Sequence, residues 1–333
     1  MAFWHSFRRV AVRVAVPAAA AAFLSSCQTT DVPAYLAPIT TALLEQMAAI
    51  GTTPIAPIYV RVFKEESEFE IWKRRPDGTY ALLKTYAICA WSGELGPKIA
   101  EGDRQAPEGF YSVGPAQLNP NSSYHLSFNI GYPNTFDRSL GRTGSNLMVH
   151  GACSSAGCYS MTDESVEEIY AVVREAFAGG QRQFQIHAFP FRMTPQNMAR
   201  HSTNAHFAFW QMLKEGYDHF EVTRTVPEVE VCDFRYVFDA QSGGERFEPT
   251  RPCPAYTIPD RIAFPLEAQR AADAAAYDMA VAALVASGTL SAGASPPLFR
   301  DPMDGPLTAF APGPGIDPTT TAGIPAPLPR PTP

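Results

Sequence analysis

The sequence predicts an α+β fold: mainly β through its middle, with flanking helices. Three observations lead there. Residues 55–190 hold a series of short runs with strand-like alternation, separated by Pro and Gly. A strongly amphipathic helix opens at Thr162-Asp163-Glu164. An alanine-rich segment of helical length follows much later, at Leu266–Ser287.

The N-terminus reads as an export signal. Arg8, Arg9 and Arg13 form a positive region before the apolar run Val14–Leu24. That run is too short to span a bilayer comfortably, so residues 1–26 are expected to be a cleaved signal peptide. Arg8-Arg9 fits a twin-arginine signal poorly. The run ends in Leu24-Ser25-Ser26-Cys27, which resembles a bacterial lipobox. The resemblance implies cleavage before Cys27 and acylation of that cysteine, hence a periplasmic protein anchored to a membrane by its lipid. Gln28 in place of an aspartate implies, by resemblance to enterobacterial sorting rules, the outer membrane.

Residues 27–54 form a linker with one short amphipathic stretch, Thr40–Ile50. Ile58–Lys64 and Phe69–Lys73 alternate as strands, and Asp77-Gly78 marks a hairpin turn before Tyr80–Trp91. Phe110–Val113, Tyr124–Ile130, Asn146–His150 and Gln183–Ala188 read as further strands. In the Thr162 helix, Val166, Ile169, Tyr170, Val173 and Phe177 share one face, and Gly179-Gly180 stops it. Thr194-Pro195 looks like a cap with proline at the first helical position, and Phe207, Trp210 and Leu213 give another helical stripe. Residues 55–240 are expected to be one catalytic domain and 241–290 an extension carrying the alanine-rich helix. The Pro-rich tail, 291–333, has too little apolar surface to offset its ordering entropy, so disorder is expected there.

The net charge of −7 and the absence of basic runs exclude nucleic-acid binding as the expected role. Six cysteines occur: Cys27, Cys89, Cys153, Cys158, Cys232 and Cys253. With Cys27 lipidated and Cys158 a working thiol, four remain for disulfides in an oxidising compartment. Cys232–Cys253, flanking one loop-rich segment, is the preferred pair, and Cys89–Cys153 the second. Free buried cysteines are the alternative.

The chemistry concentrates in His150-Gly151-Ala152-Cys153-Ser154-Ser155-Ala156-Gly157-Cys158-Tyr159. A thiol works as thiolate and needs a base, a positive neighbour or a helix N-terminus near neutral pH. Cys158 lies just before a helix, Gly157 permits a tight turn, and His150 ends a strand. The amides of Gly157 and Cys158 could then serve an oxyanion. His150, Cys153 and Cys158 could instead hold zinc, but a fourth ligand is missing from the local pattern, so no metal is expected. A Cys153–Cys158 disulfide would disable the nucleophile.

These residues resemble the active-site motif of the L,D-transpeptidase (YkuD-type) catalytic domain: His150-Gly151, then Ser155-Ala156-Gly157-Cys158. Ala156 stands where most members carry a histidine that is not the base. The short gap and the run Cys158-Tyr159-Ser160-Met161-Thr162-Asp163 are similar to the YafK-like murein L,D-transpeptidase branch. Gly102-Asp103-Arg104-Gln105-Ala106-Pro107-Glu108-Gly109, Gly141-Arg142-Thr143-Gly144, Pro190–Thr194 and Phe209–Tyr217 continue the resemblance across Pro57–Phe238. It implies a β-sandwich-like catalytic domain. It also implies Cys158 as nucleophile, His150 as base, the Gly151 carbonyl as its orienter, and no cofactor.

The resemblance further implies peptidoglycan stem peptides as substrate. The acyl group would pass to an amine, or to water in an amidase that releases protein-linked murein lipoprotein. A wall-binding lipoprotein without activity is a third reading, and retention of both Cys158 and His150 argues against it. Among neighbours, Ser155 could line the site and Arg142 could hold a substrate carboxylate; packing explains each equally well. Tyr159 and Met161 are expected in the core. His125 is expected to be structural. His187, His201, His206 and His219 lack a partner cluster and receive no role.

Overall fold

The structure is a computed structural model that describes Met1 and residues 32–299. The chain divides into two compact units, Met1–Val32 and Pro33 onward, and all described elements belong to the second. Cys27, residues 2–26 of the expected signal peptide and the chain beyond residue 299 lie outside the described residues.

The first helix, α1 (Thr41–Ala49), is capped by Thr40, whose hydroxyl accepts from Leu43 N, and it buries Leu43 and Met47. Three strands follow as an antiparallel meander: β1 (Ile58–Phe63), β2 (Glu68–Arg74) and β3 (Tyr80–Ala87). The turn between β2 and β3 is held by Asp77, which accepts from Thr79 N at 2.8 Å. Next come β4 (Gly109–Val113), β5 (Leu118–Asn119), β6 (Ser127–Asn129), α2 (Thr135–Ser139), β7 (Met148–His150) and β8 (Tyr159–Ser160). The second half holds α3 (Asp163–Ala178), β9 (Phe184–Phe189), α4 (Pro195–Arg200), α5 (Phe207–Thr223), the hairpin β10 (Val229–Cys232) and β11 (Arg235–Phe238), and α6 (Asp260–Ala286).

Two sheets result. One runs β3-β2-β1-β9-β4 and the other β5-β6-β7-β8. Each contains one parallel pair, β1 with β9 and β7 with β8. One core joins the two sheets to α3 through Val60, Ile71, Phe128, Val149, Tyr159, Ile169 and Ile186, all buried. A second, aromatic core packs Phe63, Phe110, Phe189, Trp210 and Tyr236 around α5. Each such side chain contributes roughly 1.5–3 kcal/mol by leaving water. The α+β class read from the sequence is the observed one.

Several boundaries differ from the sequence expectation. The strand expected over Tyr124–Ile130 shrinks to β6, because His125 adopts a left-handed backbone (φ 66°). The strand expected from Asn146 begins at Met148, because Asn146 also turns left-handed (φ 53°). The last helix begins six residues early, at Asp260, and carries Pro265 inside it.

That helix packs on α4 and α5 through Ile262, Leu266 and Tyr277. At its centre Lys214 Nζ, fully buried, donates to Asp218 at 2.7 Å and to Asp273 at 2.6 Å. The tail also starts ordered. Leu298 is buried, Gln211 donates to the carbonyls of Pro297 and Leu298, and Tyr277 donates to Pro296 O. Prolines have little backbone freedom to lose, so one buried leucine and these bonds suffice to seat residues 295–299. No described helix is long and apolar enough to cross a membrane.

Candidate active site

Strands β7 and β8 are parallel neighbours, with Val149 opposite Tyr159 and His150 opposite Ser160. Only the eight residues Gly151–Cys158 join them. Parallel strands ordinarily need a connection of about a dozen residues. This one closes early by using left-handed backbone at Ala152 (φ 63°), Cys153 (φ 47°) and Gly157 (φ 121°). Two of the three are not glycine, so the loop stores strain of roughly 1–2 kcal/mol per residue.

Register then selects the faces. Val149 and Tyr159 point into the core. Their neighbours His150 and Cys158 therefore point the other way, and both line an open cleft of about 400 Å³. Its other walls include Tyr124, Asn146, Met148 and Ser155, and no lining side chain is charged.

His150 is buried and its Nδ1 lies 2.6 Å from the carbonyl oxygen of Gly151. A carbonyl only accepts, so Nδ1 carries the hydrogen and Nε2 is left with its lone pair. Among the described residues no hydrogen bond reaches Nε2. The ring of Tyr124 lies against the imidazole, with centroids 4.8 Å apart. Gly151 itself is clamped: its N–H donates to Tyr124 O at 3.1 Å and Leu126 O at 3.2 Å.

Cys158 is the free cysteine of the described residues. Its Sγ accepts from Met148 N at 3.4 Å and faces Asn146 O at 3.6 Å. Burial pushes its pKa up, against the opposing pull of the Met148 N–H and the Lys98 charge. Burial likewise lowers the pKa of His150, and the bond to Gly151 opposes this. Both shifts favour a neutral thiol beside a neutral imidazole in the resting site.

The amides of Gly157 and Cys158 both donate to Ser155 Oγ, at 3.3 and 3.1 Å, and that hydroxyl donates to Cys158 O at 2.7 Å. Ser155 thus occupies the position facing the two amides. The outer loop is anchored three more ways. Ala152 N donates to Asp163 Oδ1 at 2.8 Å, Ser154 N donates to Ser160 Oγ at 2.8 Å, and Cys153 is disulfide-bonded to Cys89. The second disulfide joins Cys232 to Cys253. Both pairings expected from the sequence are therefore present. With its sulfur in a disulfide, Cys153 is neither a zinc ligand nor a partner for Cys158.

A second loop backs the first. Lys64, fully buried at the end of β1, donates to the carbonyls of Glu94, Gly96 and Ala106 and pairs with Glu108 at 2.9 Å. This hub fixes residues 92–108, whose Ser92 hydroxyl lies 3.4 Å from that of Ser155. Tyr159 OH donates to Pro107 O from the core side.

Arg142 stands apart from these residues. It is buried, pairs with Asp137 at 2.9 Å, and its guanidinium lies over Phe136 and Phe209. It does not line the cleft, so a substrate carboxylate is not its partner here. His125 pairs with Glu167 on α3, and His187 is enclosed between Tyr59 and Gln185. Tyr159 and Met161 are core residues.

Sequence reasoning missed Tyr124, Asn146, Asp163 and Ser160 as parts of the site. Asn146 carried a signal, since asparagine tolerates left-handed backbone at a strand entrance. Tyr124 carried none.

No family model matches the chain. It is 44% identical over 220 residues to the protein named "Putative L,D-transpeptidase YafK" from Escherichia coli K12, covering 63% of this chain and 89% of that one. The same figures hold for its counterpart from Escherichia coli O157:H7. Among solved structures, the helical cell shape determining protein Pgp2 from Campylobacter jejuni aligns at 19% identity and a TM-score of 0.33, over 49% of this chain and 66% of that chain. Bd1075 from Bdellovibrio bacteriovorus aligns at 14% identity and a TM-score of 0.31, over 61% and 93%. These two overlaps are too loose to bear on function. The 44% identity toward YafK, over 89% of that protein, places this chain in the YafK-like L,D-transpeptidase family.

Proposed function

We propose that the protein is a cysteine acyltransferase acting on peptidoglycan stem peptides. One observation carries the reading: His150 and Cys158 face the same cleft, with His150 fixed so that Nε2 is the basic nitrogen. In the proposed reaction Sγ of Cys158 attacks the carbonyl of an L,D-peptide bond. His150 Nε2 takes the thiol proton and returns it to the departing amine, leaving a thioester. Ser155 Oγ turns away as the substrate oxygen enters, and the Gly157 and Cys158 amides then bind the developing charge. An acceptor amine completes transpeptidation; water in its place gives hydrolysis, as an amidase releasing stem-linked lipoprotein would. We also place the mature protein in the periplasm, anchored through acylated Cys27 to the outer membrane.

The test is incubation of the protein with muropeptides, with and without a protein-linked stem, followed by intact-protein and product mass spectrometry. A mass increment on Cys158 matching an acyl stem is expected, and Cys158→Ala should abolish it. Turnover that persists in Cys158→Ala refutes the nucleophile. Product masses separate crosslinking from hydrolysis, and loss of labelled fatty acid in Cys27→Ser tests the anchor.

A further inference from the structure

We propose that the Cys89–Cys153 disulfide positions the imidazole of His150. The proposal rests on the reading of His150 as the base of Cys158.

The oxygen that fixes His150 belongs to the Gly151–Ala152 peptide unit. The orientation of that unit is set by ψ of Gly151 and φ of Ala152. Ala152 and Cys153 are successive left-handed residues, at φ 63° and 47°. Neither has a glycine's freedom to stay there unaided. The peptide unit itself is held by the Ala152 N–H bond to Asp163 Oδ1 at 2.8 Å, and the left-handed pair is further constrained from both sides of Cys153. Its N–H donates to Met161 O at 3.3 Å, and its sulfur is bonded to Cys89, whose own N–H donates to Ser160 O at 2.8 Å. The adjoining Ala90 bridges Ser160. The cross-link thus ties the outer half of the loop to the far edge of β8, across 64 residues of sequence.

Once the bond is opened, Ala152 and Cys153 can relax to ordinary φ. The Gly151–Ala152 plane then rotates, and Nδ1–H loses its fixed acceptor. His150 would sample both tautomers, only one of which leaves Nε2 basic. Both sulfur-bearing residues are exposed, whereas Cys232 of the second disulfide is buried. A dithiol such as dithiothreitol should therefore open Cys89–Cys153 first. Its two thiols give two electrons and two protons to the bond, and it leaves as its own cyclic disulfide.

The experiment uses the full chain labelled with ¹⁵N in histidine. Imidazole tautomers and kcat are read for the oxidised protein, the reduced protein, and Cys89→Ser/Cys153→Ser, with Cys232→Ser/Cys253→Ser as control. The expected result is loss of the fixed Nδ1–H signature of His150 in the first two altered states but not in the control. A fall in kcat on the order of tenfold with little change in KM should accompany it. Reoxidation of the reduced protein should restore both. A shifted tautomer in a protein that shows no turnover even when oxidised supports the positioning role and counts instead against the proposed function. An unchanged His150 signature in the double variant overturns the proposal. So does loss of far-UV circular dichroism in both altered states, since the cross-link would then hold the fold rather than the residue.

Discussion

Val149 and Tyr159 are parallel partners across β7 and β8, and both are fully buried. This single pairing turns His150 and Cys158 out of the core toward one cleft. A slip of one residue would send one of them into the interior.

The ionisation of the pair fixes a pH profile. His150 is held below the ordinary imidazole value of about 6.5, so it stays unprotonated in mildly acidic solution. Cys158 is held above the ordinary thiol value of about 8.5, so it keeps its proton in mildly alkaline solution. We expect kcat/KM to be flat from about pH 6.5 to 8.5 and to fall on both sides. Alkylation by iodoacetamide should be slow at pH 7 and rise above about pH 8.5. Fast alkylation already at pH 6 would show a resting ion pair and refute the neutral one.

Tyr124 touches His150 through its ring, and the residue is 51% exposed. Tyr124→Phe should leave kcat unchanged. Tyr124→Ala frees one face of the imidazole, and a loss of roughly tenfold in kcat is expected. Steady-state kinetics on both variants checks this, and equal losses would assign the effect to the hydroxyl.

Gly151 has no room for a side chain. A Cβ there would lie 2.5 Å from Asp163 Oδ1 and 3.0 Å from Tyr124 O. Gly151→Ala should push Asp163 off Ala152 N and disturb the carbonyl that orients His150. We expect at least a tenfold loss of kcat with a stability loss of about 1–3 kcal/mol. Kinetics and thermal melting measure the two effects.

Arg142→Met strands the buried Asp137 carboxylate. The expected cost is about 3–5 kcal/mol of stability, read by denaturant unfolding. Asp137→Asn added to it should recover part of the loss, and KM should stay unchanged. A raised KM in a stable Arg142→Met protein would restore the carboxylate-binding role.

Much of this was legible beforehand, and the gaps have physical reasons. The α3 face, the Thr194-Pro195 cap and the β1–β3 meander follow from periodicity and turn chemistry that act within a few residues. The β10–β11 hairpin was hidden because its turn, Asp233-Phe234, takes left-handed backbone at both positions without a glycine to announce it. Tyr124 was hidden because its position depends on its carbonyl meeting Gly151, a contact between segments 27 residues apart. Arg142 was ambiguous because a motif arginine looks the same whether its carboxylate comes from substrate or from Asp137.

With four cysteines held in two disulfides, the described chain offers electrophiles one thiol, on the residue assigned to chemistry. Reagent uptake therefore becomes a count of intact sites. In protein whose Cys27 is acylated or replaced by serine, one equivalent per chain reports Cys158, and a preparation that consumes three has opened a cross-link. Labelling stoichiometry can grade each batch of protein before any substrate is in hand.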